Sequence, residues 1–166
     1  MNTSTLAFQS NQLQKNLGDP YLRLQLDRQT QAVLPMEDTQ EVLVVPVGRI
    51  MPMPNMPACV LGLLNQRSRV FWVIDLPQML ELQALDTEVQ QYNLAIVRVG
   101  NIPLGLVVEK VKGVMRFTAD LMQSPIGTVA PGLIPYLRGC LLQKTEVLLV
   151  LDAEAIVRSP ILHSSN

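Results

Sequence analysis

The sequence predicts a mostly β chain made of two small, related units of short strands. Two observations carry this reading. The first is an internal repeat. Gly62 to Asp75 (GLLNQRSRVFWVID) aligns without a gap on Gly139 to Asp152 (GCLLQKTEVLLVLD), with a Gly-to-Asp spacing of thirteen in both copies. Pro57 and Pro135 lie within one residue of the same register. Leu34-Pro35-Met36-Glu37 aligns with Leu106-Val107-Val108-Glu109, and Val42 with Val114. The second observation is punctuation: short apolar runs are broken by Gly, Pro and polar clusters, as in strands joined by turns. Each unit is too small to build a large core alone, so the two are expected to pack together and hide apolar surface at their seam.

The elements follow in order. Residues 1–18 are polar, rich in Asn, Gln, Ser and Thr, and lack a period, so a mobile tail is expected. Tyr21 to Leu26 alternates and places Leu22, Leu24 and Leu26 on one face of a half-buried strand. Asp27 to Thr30 is a turn, and Ala32 to Leu34 opens a strand whose pairing Pro35 limits. Met36 to Val42 suits a helical turn, Val42 to Val45 a strand, and Arg49 to Met53 a short extended piece. Pro52, Pro54 and Pro57 impose extended or polyproline geometry. A docking peptide and a stiff connector both fit this run, and the flanking core-like strands favour the connector. A short apolar run ends at Gly62, and Val70 to Ile74 is a strong strand. Asp75 is placed to cap a short helix over Leu76–Leu82, where Pro77 suits the first turn. Gln83 to Gln91 reads as a linker. Strands follow at Asn93–Val99, Leu104–Val108 and Val111–Phe117. A long Gly/Pro loop spans Thr118–Gly132, strands return at Pro135–Leu142 and Glu146–Leu151, and Asp152 caps a last helix, Ala153–Val157.

Composition narrows the function classes. Of 166 residues, 48% are hydrophobic and 16% charged, and mean hydropathy is +0.24. That is apolar for a soluble chain and suggests surface kept for partners. The charge-free runs Ile50–Gln66 and Leu121–Leu137 contain prolines and polar residues, so direct membrane insertion is not expected. The first residues have neither a basic start nor a long apolar stretch, which argues against a secretory signal. A net charge of −1 without a basic block, and few aromatics, argues against nucleic-acid binding. Cys59 and Cys140 lack CxxC partners and read as reduced core thiols. The only histidine, His163, lies in the polar C-terminal segment, which removes a histidine relay or metal site from the core. There is no Gly-rich phosphate loop. No catalytic residue, cofactor or metal site is therefore expected. Arg outnumbers Lys nine to four, a weak pointer to protein interfaces.

The repeat separates framework from use. The glycine, the apolar strand and the aspartate recur and read as structural. The polar knot between them differs: Asn65-Gln66-Arg67-Ser68-Arg69 in the first copy, Leu142-Gln143-Lys144-Thr145-Glu146 in the second. A position-specific role therefore falls on the first knot, and on Arg67 within it.

These residues resemble the CheW-like adaptor family of bacterial chemotaxis and pilus-motility systems. The family's first half carries P-x-x-x-x-Q/E-E-V, then P-x-x-P-x-x-x-x-G-x-x-N-L-R-G-x-x-x-P-V-x-D-L. The matching residues are Pro35, Gln40, Glu41, Val42, then Pro54, Pro57, Gly62, Asn65, Arg67, Val73, Asp75 and Leu76. The second-half pattern G-L-x-V-D-x-V is met by Gly105, Leu106, Val108, Glu109 and Val111, and the closing L-D by Leu151-Asp152. Ser68 stands where the family has glycine, Trp72 where it has proline, and Glu109 where it has aspartate. The resemblance implies two SH3-like five-stranded β-barrel subdomains with short helices in a domain over 19–158. Subdomain one is expected at about 19–85 plus the helix at 153–158, subdomain two at about 86–152, and a tail at 159–166. It also implies a cytoplasmic scaffold at receptor arrays near the inner membrane, without catalysis. That scaffold binds the regulatory domain of a CheA-type histidine kinase and the cytoplasmic tip of a methyl-accepting chemoreceptor. The family's partner-binding residues carry over to Glu41 and Arg67, expected near each other, and to Thr39, Gly62, Asn65 and Gly105. Two other readings stay open: an SH3-like module binding Pro-rich peptides, which needs an aromatic-lined groove, and an adaptor that holds the kinase without receptor coupling.

Overall fold

The computed structural model describes residues 17–83 and 88–163. The tail expected at 1–18 falls almost wholly outside the described residues, as does the middle of the expected linker. Among these residues eleven strands and two short α-helices follow in order: β1 (Asp19–Gln25), β2 (Gln31–Pro35), β3 (Thr39–Pro46), β4 (Ile50–Met51), β5 (Val60–Gln66), β6 (Arg69–Asp75), α1 (Leu76–Met79), β7 (Gln91–Val99), β8 (Ile102–Val108), β9 (Lys110–Phe117), β10 (Leu137–Gln143), β11 (Glu146–Leu151) and α2 (Ala153–Val157). The polar stretch after β2 makes a 3-10 turn at Met36–Asp38, and another at Val47–Arg49 leads into β4. Strand β3 is longer than its apolar residues announce, because pairing with β7 recruits Thr39 to Glu41 into the ladder.

The strands form two sheets, ordered β10-β11-β2-β1-β9 and β3-β7-β8-β6-β5-β4. Each curls around its own core. In the larger sheet Val45, Ile50, Leu64, Phe71, Leu94 and Val107, one from each of its six strands, meet in a single cluster. In the smaller, Tyr21, Val33, Phe117, Leu141 and Leu148 do the same across five strands. Tyr21 and Phe117 stack there with ring centroids 4.0 Å apart. The third and largest cluster lies between the sheets. Leu22 and Leu24 of β1 and Leu26 just after it meet Ile74, Leu104 and Leu106 of the other sheet, and Met79 and Ile156 from the two helices close it. This is the expected seam, and the expected mostly β class of two small curled units holds. The smaller sheet has the expected five strands, and the larger adds the two-residue β4.

The duplication is visible in backbone detail. The register shifts between Val60 and Gly62 in β5, and between Leu137 and Gly139 in β10. Asp75 N–H donates to the Cys59 carbonyl and Asp152 N–H to that of Tyr136, both at 2.8 Å. Asp75 accepts from Gln78 N–H and Asp152 from Ala155 N–H, both at 3.1 Å. Strand β6 runs parallel to β8, as β11 does to β2. The sheets, however, do not divide where the repeats do. The smaller sheet takes β1 and β2 from the first repeat and β9 to β11 from the second, and the larger takes the complement. The sheet division thus departs from the expected boundary near residue 85. The two parallel pairings exchange the leading hairpins, so neither sheet forms from one repeat alone. Sequence spacing shows the repeat but not which copy a strand pairs with. Cys59 and Cys140 are free and buried, consistent with core thiols.

Candidate functional site

The knot is the tip of the β5–β6 hairpin. Gln66 pairs with Arg69, leaving a two-residue loop. Its residues Arg67 and Ser68 both lie at positive φ, 51° and 63°. Two successive left-handed residues make the type I′ turn, whose twist matches that of paired strands. Ser68 holds this conformation without glycine's freedom. At the matching place in the second hairpin only Lys144 has positive φ.

Across the mouth of the larger sheet lies β3, whose Glu41 reaches the tip. Arg67 Nη1 stands 3.3 Å from Glu41 Oε1, with side-chain exposures of 77% and 24%. The expected proximity is present, and it ties the hairpin tip to the opposite edge strand. A pair so exposed adds little stability. What it does is hold a charged group in one orientation. Arg49, in the turn before β4, donates from Nη2 to the Asn65 carbonyl at 2.6 Å and steadies the same hairpin. Asn65 is exposed on β5.

Three other carried-over residues sit differently. Thr39 is half-buried at the start of β3, and its hydroxyl donates to the Pro35 carbonyl at 3.0 Å, which fixes the crossing from one sheet to the other. Gly62 is buried at φ 145°, and a Cβ there would collide with the Met51 carbonyl. Gly105 is buried too, and an added Cβ would lie 3.1 Å from side-chain carbons of both Leu94 and Val73. Both glycines therefore shape the sheet beneath the tip and are covered by it. Glu41, Asn65 and Arg67 are the members of the set that the fold gathers at an accessible rim.

Residues passed over in the sequence surround that rim. Arg69 is exposed beside Arg67. Along the outer flank of the hairpin Val70 is 59% exposed and Trp72 37%. Trp72 lines up across the sheet with Leu63 and, beyond it, Met51. Alternation on β6 carried the signal: Phe71 and Val73 point into the core, so Val70 and Trp72 must point out.

Away from the rim, Asp38 sits in the turn between the sheets. Burial pushes its carboxyl above the ordinary value, and Arg138 opposes this. Its Oδ2 is 3.8 Å from Arg138 Nη2, an ion pair too long to be a hydrogen bond, and this buried oxygen has no hydrogen-bond partner.

Residues 20–160 match the CheW-like domain family, which is most of the chain. The chain belongs to the CheW-like domain family. Among its relatives is the chemotaxis protein CheW of Treponema pallidum (strain Nichols), 28% identical over 119 residues that cover 70% of each chain. The crystal structure of the scaffolding protein TtCheW from Thermoanaerobacter tengcongensis has the same fold, with a TM-score of 0.71 at 18% identity. The match covers 81% of this chain and 89% of that one. Among the described residues no helix is long and apolar enough to cross a membrane.

Proposed function

We propose that this CheW-like chain is a non-catalytic adaptor that couples chemoreceptors to a CheA-type histidine kinase, in chemotaxis, phototaxis or type IV pilus signalling. It works in the cytoplasm, at receptor arrays on the inner membrane. The observation that carries the reading is the Glu41–Arg67 pair, set on an exposed rim of a CheW-like domain. A rigid curled sheet positions the rim, and the pair presents an oriented charge. The partner-facing residues are Glu41, Arg67 and Asn65. Thr39, Gly62 and Gly105 act through the backbone shape beneath them.

The test is a calorimetric titration with the regulatory domain of a CheA-type kinase from the same organism. Micromolar binding is expected, and no binding to any such domain overturns the reading. In reconstituted arrays with a chemoreceptor, Arg67→Glu is expected to lower receptor-dependent kinase activation at least about tenfold, since it places like charge against Glu41 and the partner. Circular dichroism is expected to show an intact fold. Kinase binding with no receptor-dependent activation, in the wild-type chain, would favour an adaptor that holds kinase alone. The departures at Ser68 and Trp72 motivate that second reading.

A further inference from the structure

Arg69 has an internal control in the repeat. Its counterpart in the second hairpin is Glu146, which pairs with Arg23 Nη2 at 3.2 Å and accepts from Gln31 Nε2 at 3.2 Å. The network closes that end of the smaller sheet. At the same place in the larger sheet, the Arg69 side chain is exposed and makes no hydrogen bond or ion pair among the described residues. Around it stand Arg67, joined to Glu41, and Arg49, joined only to the neutral Asn65 carbonyl. Among the described residues this rim thus carries the guanidinium groups of Arg49, Arg67 and Arg69 and the carboxylate of Glu41, in a chain whose net charge is −1. The local field is positive against the sign of the whole molecule, and a local field steers association. The apolar flank of Val70 and Trp72 lies on the other face of the same strand, since side chains alternate along it.

We infer that Arg69 is a specificity-determining residue of this rim, selecting a folded protein surface that presents a carboxylate. The carboxylate faces Arg69. A guanidinium is suited to this because it forms two parallel hydrogen bonds to a carboxylate. The inference rests on the adaptor reading and names the chemistry its kinase partner must offer.

The experiment titrates the kinase regulatory domain into the wild-type chain, Arg69→Glu and Arg28→Glu, each at about 50 mM and about 500 mM salt, a range over which surface charges go from exposed to largely screened. The expected results are a loss of about tenfold or more for Arg69→Glu with a flattened salt dependence. Arg28→Glu, in the exposed turn between β1 and β2 of the smaller sheet, is expected to bind as the wild type does. Equal affinity and salt dependence in wild type and Arg69→Glu would overturn the inference and leave the adaptor reading standing. Failure of the wild-type chain to bind any such domain would overturn the adaptor reading and this inference with it.

Discussion

Ser68 shows how one residue records a compromise. It occupies the second left-handed position of the tip, at φ 63°, where a side chain costs about 1 kcal/mol relative to glycine. Ser68→Gly is therefore expected to stabilise the fold by about 1 kcal/mol and raise the melting temperature by about 2–4 °C in thermal unfolding. No change would mean that the hydroxyl recovers what the backbone loses. The Glu41–Arg67 pair behaves oppositely, because removing it should hardly move stability. The pair's proximity was legible through the family resemblance. The conformation of Ser68 was legible only as a missing glycine, since φ depends on how two strands pair.

At the scale of elements, the recurring aspartates fix where strands become helices. Asp75 is buried at 5% exposure, and its carboxylate caps α1 through Gln78 N–H. Asp75→Ala is expected to destabilise the protein by about 1–2 kcal/mol, read as a shift in the urea unfolding midpoint. Equal stability would show that α1 is held by Leu76 and Met79 packing into the seam. These caps and the helices after them were readable directly, because capping is a local rule linking one side chain to a backbone three residues on. The lengths of β3 and β4 were not. Both depend on a partner strand, β7 for one and β5 for the other.

For the whole molecule the crossing from one sheet to the other is the telling place. There Asp38 lies between β2 of the smaller sheet and β3 of the larger, with Arg138 of β10 beside it. Burial raises its carboxyl above the ordinary 3.8, Arg138 lowers it, and Glu37, Asp152 and Glu154 raise it further. The folded state thus holds this proton more firmly than the unfolded chain does. That contribution to stability is full below pH 3.8 and is lost as pH rises through the raised value. Asp38→Asn keeps the shape and removes the charge. Melting curves are expected to show the variant above wild type at pH 7, with the gap closing as pH falls toward 3.8. A variant less stable than wild type at pH 7 would mean that the Arg138 pair outweighs burial.

The sequence by itself determined the repeat, the turn and cap positions, the strands that alternate cleanly, and the membership in a family of paired curled sheets. Each of these follows from local chemistry or from a spacing that one chain carries along its length. Only the tertiary structure decided that the repeats exchange their leading hairpins across the seam, because β6 pairing with β8 and β11 with β2 joins residues far apart in the chain. It alone decided that Gly62 and Gly105 are covered while Arg67 stands out, since burial belongs to the packed sheets. It alone showed that Arg69 makes no ion pair among the described residues where its repeat counterpart Glu146 does, because an ion pair needs a neighbour that the spacing of one strand does not supply.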